Sequence, residues 1–131
     1  MNKQSIVDSI AYCCLVCAKC HLKAECDFCK NTASLCARNE VCYQRNCCMQ
    51  KGLQGCWQCT EFPCNKDMFG PSHDLRIKAF VSFIKAEGEE ALIDCLLKNE
   101  DQGIHYGKGR DYDGKGSEKE VIWLLKNGLP N

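Results

Sequence analysis

Three Cys-x-x-Cys pairs lie within 43 residues: Cys17-Ala-Lys-Cys20, Cys26-Asp-Phe-Cys29 and Cys56-Trp-Gln-Cys59. A two-residue spacer lets both sulfurs of a pair point at one ion, about 2.3 Å from each. Cys13, Cys14, Cys36, Cys42, Cys47, Cys48 and Cys64 stand among or beside them, so 13 of the 14 cysteines fall in residues 1–69. One pair is a weak signal. Three pairs interleaved with single cysteines form the pattern of a metal site.

Four thiolates suit either structural zinc or an iron–sulfur cluster. Cys14-x2-Cys17-x2-Cys20 matches the first three ligands of a bacterial ferredoxin run, but the next cysteine is Cys26, followed by Asp27 rather than proline. The only Cys–Pro neighbours are Pro63 and Cys64, in the reverse order. Mixed spacers of two, four and five residues read as zinc knuckles. The expected ligands are Cys13, Cys17, Cys20, Cys26, Cys29, Cys42, Cys47, Cys56, Cys59 and Cys64. They are enough for about two zinc sites of the four-cysteine type. The alternative is one or two [4Fe–4S] clusters on the same cysteines, in a redox or electron-transfer protein. Spacing does not decide how the ligands divide between sites.

Residues 1–69 hold 12 of the 28 Leu, Ile, Val and Phe side chains, too few to offset the conformational entropy of that half unaided. Its sulfurs should therefore hold it. No stretch approaches the roughly 18–20 apolar residues of a membrane span. The opening Met1-Asn-Lys-Gln-Ser-Ile-Val-Asp-Ser has no apolar run and carries Asp8, unlike a secretory leader. The expected compartment is the reducing cytoplasm, where cysteines serve metals rather than the seven disulfides an even count would allow. Basic and acidic residues number 17 each. Zinc held by four thiolates adds net negative charge, so the metallated chain should be acidic, which argues against unaided nucleic-acid binding.

The elements that must position these sulfurs are short. Residues 3–12 fit an amphipathic helix with Ile6, Val7 and Ile10 on one side. Residues 13–36 read as irregular and Cys-punctuated. Glu40 to Lys51 fits a helix stopped by Gly52. Gly70-Pro71 marks the boundary to a second half. There, residues 74–86 fit a broad-faced helix, capped by Ser72 or Asp74 and ended near Gly88. Residues 89–99 continue at helical spacing, and a Gly-rich polar loop spans 103–116. Ser117 and Glu120 form a capping box before a helix over 118–127, with Phe80, Ile84, Trp123 and Leu124 expected to be buried.

Weaker signals have plainer readings. His21 follows Cys20 but competes with plentiful thiolates, so it reads as a solvated loop residue, as do His73 and His105. Cys95 repeats with Leu92 and Leu96 on a helical stripe and reads as a small buried hydrophobe. Gly109 to Gly116 nearly matches a phosphate-binding loop but lacks the Ser/Thr after Lys115. It also nearly matches a calcium loop through Asp111, Asp113 and Glu120, but its first ligand position is Gly109. Both read as a mobile loop ahead of a helix cap. Tyr12, Phe28, Tyr43, Trp57, Phe62 and Phe69 are expected to pack around the metal sites rather than stack on bases.

A resemblance rests on Tyr12-Cys13-x3-Cys17-x2-Cys20, Cys26-x2-Cys29, Cys42-x4-Cys47 and Lys51-Gly52-Leu53-x2-Cys56-x2-Cys59-x2-Phe62-Pro63-Cys64. Together these resemble the bacterial and archaeal family catalogued as domain of unknown function 3795, whose usual opening is Tyr-Cys-Gly-Leu-x-Cys-x-x-Cys. Lys98-Asn99-Glu100-x2-Gly103-Ile104-x-Tyr106 and Asp111-Tyr112-Asp113 are similar to the tail of some members. The resemblance implies a metal module and gives no reaction. Cys14 stands where the family has Gly, Cys48 where it often has a small residue, and Cys36 matches less regularly. These three stay outside the expected ligand set.

The expected architecture is a small, metal-stapled irregular Cys-rich module with one helix, over residues 1–69. It packs on a mainly α C-terminal part of about three helices, over residues 70–131. The expected function is non-enzymatic: a zinc-finger-like interaction module for a protein partner that the sequence does not identify. Closed four-ligand zinc has no open position for substrate. No catalytic residue is assigned.

Overall fold

A computed structural model describes residues 3–12, 14, 16, 43–62, 64, 69–70, 75–106 and 111–128. These form five α-helices: α1 (Lys3–Asp8), α2 (Tyr43–Lys51), α3 (Leu75–Glu87), α4 (Glu89–Asp101) and α5 (Glu118–Asn127). A 3₁₀ turn spans Cys56–Gln58, and the described residues contain no strand beyond an isolated bridge between Ile10 and Val16. None of the described helices is long and apolar enough to cross a membrane.

The C-terminal helices follow from local signals. Ile77, Ala79, Phe80, Val81, Phe83 and Ile84 of α3 are all buried, which makes it the central helix. It contacts α4, α5 and the 3₁₀ turn. Gly88 alone separates α3 from α4. Its φ of 98° is open to glycine and strained for other residues, so the chain turns there without a loop. Leu92, Ile93 and Leu96 then face the core from α4, with Glu89 and Glu90 at its N-terminus, where the helix dipole favours acids. α5 begins at Ser117, whose hydroxyl accepts from the Glu120 amide at 3.3 Å. The Glu120 carboxylate reaches back one residue further than a capping box requires, to the Gly116 amide at 3.0 Å.

Three expectations are corrected. The N-terminal helix ends at Asp8, short of residue 12. The Ser9 hydroxyl donates to the Ile6 carbonyl at 2.7 Å, competing with the helical pattern, and Ile10 leaves to bridge Val16. Trp123 is 50% exposed, while Val121, Leu124 and Leu125 carry the buried face of α5. The expected Gly-rich polar loop over 103–116 also contributes to the core, although Gly103, Asp111, Gly114 and Gly116 are exposed. Ile104 and Tyr112 are fully buried. The Tyr112 ring meets Phe80 edge-on with centroids 5.6 Å apart. Asp113 pairs with Arg76 at 3.2 Å, both side chains largely buried, and Arg76 also lies over the Tyr106 ring at 5.1 Å.

One polar side chain knits the C-terminal elements. Buried Asn99 donates through Nδ2 to the Tyr112 hydroxyl at 3.0 Å and to the Leu124 carbonyl at 2.9 Å. The C-terminal core is continuous with the described part of the first half. Ile6, Ile10, Cys14, Val16, Cys48, Cys56, Trp57 and Phe69 share one buried cluster with residues of α3, α4 and α5. α1 lies on α4, with Lys3 paired to Glu90 at 2.7 Å and Asp94 at 2.9 Å. The expected caps Ser72 and Asp74, His21, His73 and nearly all of the Cys-punctuated 13–36 segment lie outside the described residues.

Candidate metal centre

Helix α2, Tyr-Gln-Arg-Asn-Cys-Cys-Met-Gln-Lys, has no aliphatic residue to bury. Its buried positions are Gln44, Arg45 and Cys48. Aliphatic burial therefore contributes little to holding it.

The Lys51-Gly52-Leu53 block ends this helix and aims the chain. Gly52 is left-handed at φ 70°. Its amide donates to the Met49 carbonyl at 3.3 Å, and the Leu53 amide donates to the Cys48 carbonyl at 2.9 Å. This pair of bonds is a Schellman motif, which satisfies orphan helix carbonyls while reversing direction. The reversed chain enters the 3₁₀ turn, where the Gln58 amide donates to Gly55 and that of Cys59 to Cys56. Gly55 is extended rather than left-handed, at φ −178°. The Trp57 ring lies against it, so that a Cβ there would collide with the indole.

This reversal lays the turn across α2. Cys47, Cys48, Cys56, Cys59 and Cys64 line one cavity of about 270 Å³. Phe62 and Phe69 form an apolar wall, edge to face with centroids 5.1 Å apart. Inside, the sulfurs of Cys48 and Cys56 are 3.7 Å apart, and both residues are buried. Towards solvent, the Cys59 sulfur accepts from the Glu61 amide at 3.4 Å and from Lys51 Nζ at 3.5 Å. Lys51 also pairs with Glu61. The Glu61 carboxylate first, and then the sulfurs of Cys59 and Cys47, hold the lysine cationic by raising its pKa. An ammonium and an amide thus converge on one sulfur.

Four of the ten expected ligands, Cys47, Cys56, Cys59 and Cys64, are thus brought together. Cys13, Cys17, Cys20, Cys26, Cys29 and Cys42 lie outside the described residues, as does Cys36. No group of three His, Cys, Asp or Glu side chains among the described residues is disposed to hold an ion. None of the seven described cysteines is in a disulfide.

Two residues were missed by spacing. Cys48 shares the cavity although no knuckle pattern joins it to Cys56. Lys51 supplies the cation beside Cys59, and its place in the Lys-Gly-Leu block was the available signal. Cys14 lies elsewhere. It is buried at φ 76°, the left-handed conformation that favours the Gly usual in the resembling family, and it does not line the cavity. Cys95 lies on α4, half-buried, with its thiol pKa raised by burial, as expected of a packing residue.

Residues 22–68 match the model of a family described as a protein of unknown function (DUF3795). The matched span takes in α2, the Schellman turn and the cysteine-lined cavity except Phe69. No curated protein and no solved structure matches the chain.

Proposed function

We propose that this chain is a non-enzymatic, cytoplasmic metal-binding protein. Its cysteines hold about two structural zinc ions in four-cysteine sites, and the folded unit serves as an interaction module for a protein partner. The observation that carries this reading is the convergence of five cysteines on one cavity beside a helix with no aliphatic residue to bury. Soft thiolates select zinc or iron–sulfur clusters over hard cations.

Lys51 supports the same reading through charge. A four-thiolate zinc site carries a net charge of about −2, and a cation beside one ligand lowers the cost of assembling it. The Glu61 amide directed at Cys59 is an outer contact that orients a ligand sulfur. Closing the four-ligand shells draws on cysteines beyond the described residues, among them Cys13, next to Tyr12. The Tyr12 carbonyl accepts from the Cys56 amide at 2.9 Å, which brings Tyr12 to the turn.

Element analysis of protein purified anaerobically tests the proposal. The expected result is a colourless protein with about two zinc ions per chain. A metal-free chain with its full helical signal would refute it. A brown chain containing iron would assign the cysteines to [4Fe–4S] clusters and to electron transfer.

A further inference from the structure

The cavity contains a sulfur pair that no knuckle spacing connects. Cys48 and Cys56 are eight residues apart in sequence, on α2 and on the 3₁₀ turn, with their sulfurs 3.7 Å apart. Around a tetrahedral ion with Zn–S bonds of about 2.3 Å, two sulfurs sharing an edge stand about 3.8 Å apart. A disulfide would require about 2.05 Å. We propose that Cys48 and Cys56 are ligands of one and the same thiophilic d10 ion, zinc in the native protein, with their sulfurs forming one edge of its tetrahedron. This assignment rests on the metal-binding reading above and goes beyond it, by adding Cys48 to the ligands and pairing it with Cys56.

Backbone, burial and charge carry the assignment together. The Schellman bond from the Leu53 amide fixes the Cys48 carbonyl, and the Tyr12 carbonyl fixes the Cys56 amide. These bonds set the two backbones where the sulfurs meet. They are 1% and 7% exposed. Between neutral thiols an S–H···S contact is weak. As thiolates, so close and so buried, they would repel strongly unless a cation sat between them. The adjoining cavity gives such a cation room. Lys51 does not fill this role, because its ammonium is directed to Cys59 and Glu61 at the outer side.

The test loads the full chain with Co(II) in place of zinc. Sulfur-to-cobalt charge-transfer absorption grows with the number of thiolates on the ion. Cys48→Ser and Cys56→Ser should each lose about a quarter of one site's charge-transfer intensity, or release that ion altogether. The double variant should lose no more than one ion equivalent, since both sulfurs serve the same ion. Cys95→Ser should match wild type. Cys48→His guards against a serine variant that fails to fold. Imidazole can ligate, so this chain should keep the ion with reduced sulfur-to-cobalt intensity. Wild-type protein that binds cobalt while folded Cys48→Ser or Cys48→His retains full intensity and stoichiometry would overturn the assignment and leave the metal reading intact. Wild-type protein that binds neither cobalt nor zinc would overturn both.

Discussion

The amide of Cys56 donates to the carbonyl of Tyr12 at 2.9 Å, closing a loop 44 residues long. Ten cysteines lie between these two positions. Closing so long a segment costs entropy that one hydrogen bond cannot offset. Buried contacts of Val16, Cys48, Cys56 and Trp57 supply part of the difference, and in the proposed reading metal ligation within the loop adds to them.

That reading gives a first prediction. Changing Cys56 and Cys59 together to Ser should release one metal equivalent and open the loop. Structural zinc contributes roughly 10–16 kcal/mol of apparent binding energy in small domains. Whole-domain stability is typically only about 5–15 kcal/mol. Limited proteolysis should then cut before Gly70, while α3, α4 and α5 keep their helicity by circular dichroism. A strong chelator should give the same pattern with wild-type protein. A double variant as resistant to protease as wild type would show that these cysteines do not hold the fold.

Cys95→Ser should leave the metal content unchanged. The side chain packs against the hydrophobic core from α4, away from the cysteine-lined cavity. Placing a hydroxyl in this half-buried position should cost about 1–2 kcal/mol in urea denaturation. Loss of a metal equivalent would make Cys95 a ligand.

Cys14→Gly should also keep the full metal content, in contrast to a ligand substitution. A non-glycine residue at φ 76° carries roughly 1–2 kcal/mol of backbone strain. Gly relieves it but gives up a small buried side chain, a loss of similar size. The net change should therefore lie within about 1 kcal/mol by denaturation. Loss of zinc from this variant would mean that the Cys14 sulfur, rather than its backbone, is what matters.

Alkaline pH should destabilise the fold through Tyr112. Burial is the main cause that pushes its hydroxyl from the ordinary value of 10 up to about 12. The folded value lies above the unfolded one. The stabilisation is therefore fully present below pH 10 and is lost as pH rises through about 12. Tyr112→Phe should flatten the fall in stability over that window. It should cost about 1 kcal/mol at neutral pH, by removing the hydrogen bond with Asn99. An unchanged alkaline slope in the variant would place the titrating group elsewhere.

Much of the C-terminal fold was legible from local signals. α5 occupies the expected 118–127, and α3 and α4 begin within a residue of expectation. Ser117 and Gly88 act through bonds and backbone angles among near neighbours, which depend little on packing. Trp123 was misplaced by its company in Val121-Ile-Trp-Leu-Leu125. Five consecutive apolar residues cannot share one helix face, and Trp123 falls roughly 200° around the axis from Val121. The helical period excluded it from the buried stripe.

By itself, the sequence determined which residues can do chemistry. Cysteine spacing marked the sulfurs, and Gly52 marked the turn that returns the chain across α2. Tertiary structure alone decided which sulfurs meet. Cys48 faces Cys56 because a Schellman motif and a 3₁₀ turn set their directions, and no fixed spacing encodes that meeting. Tyr112 became a core residue, and Asp113 a largely buried ion-pair partner, because Phe80, Asn99 and Arg76 lie where their side chains reach. Local patterns report each residue's own backbone, whereas such contacts depend on elements brought together from distant parts of the chain.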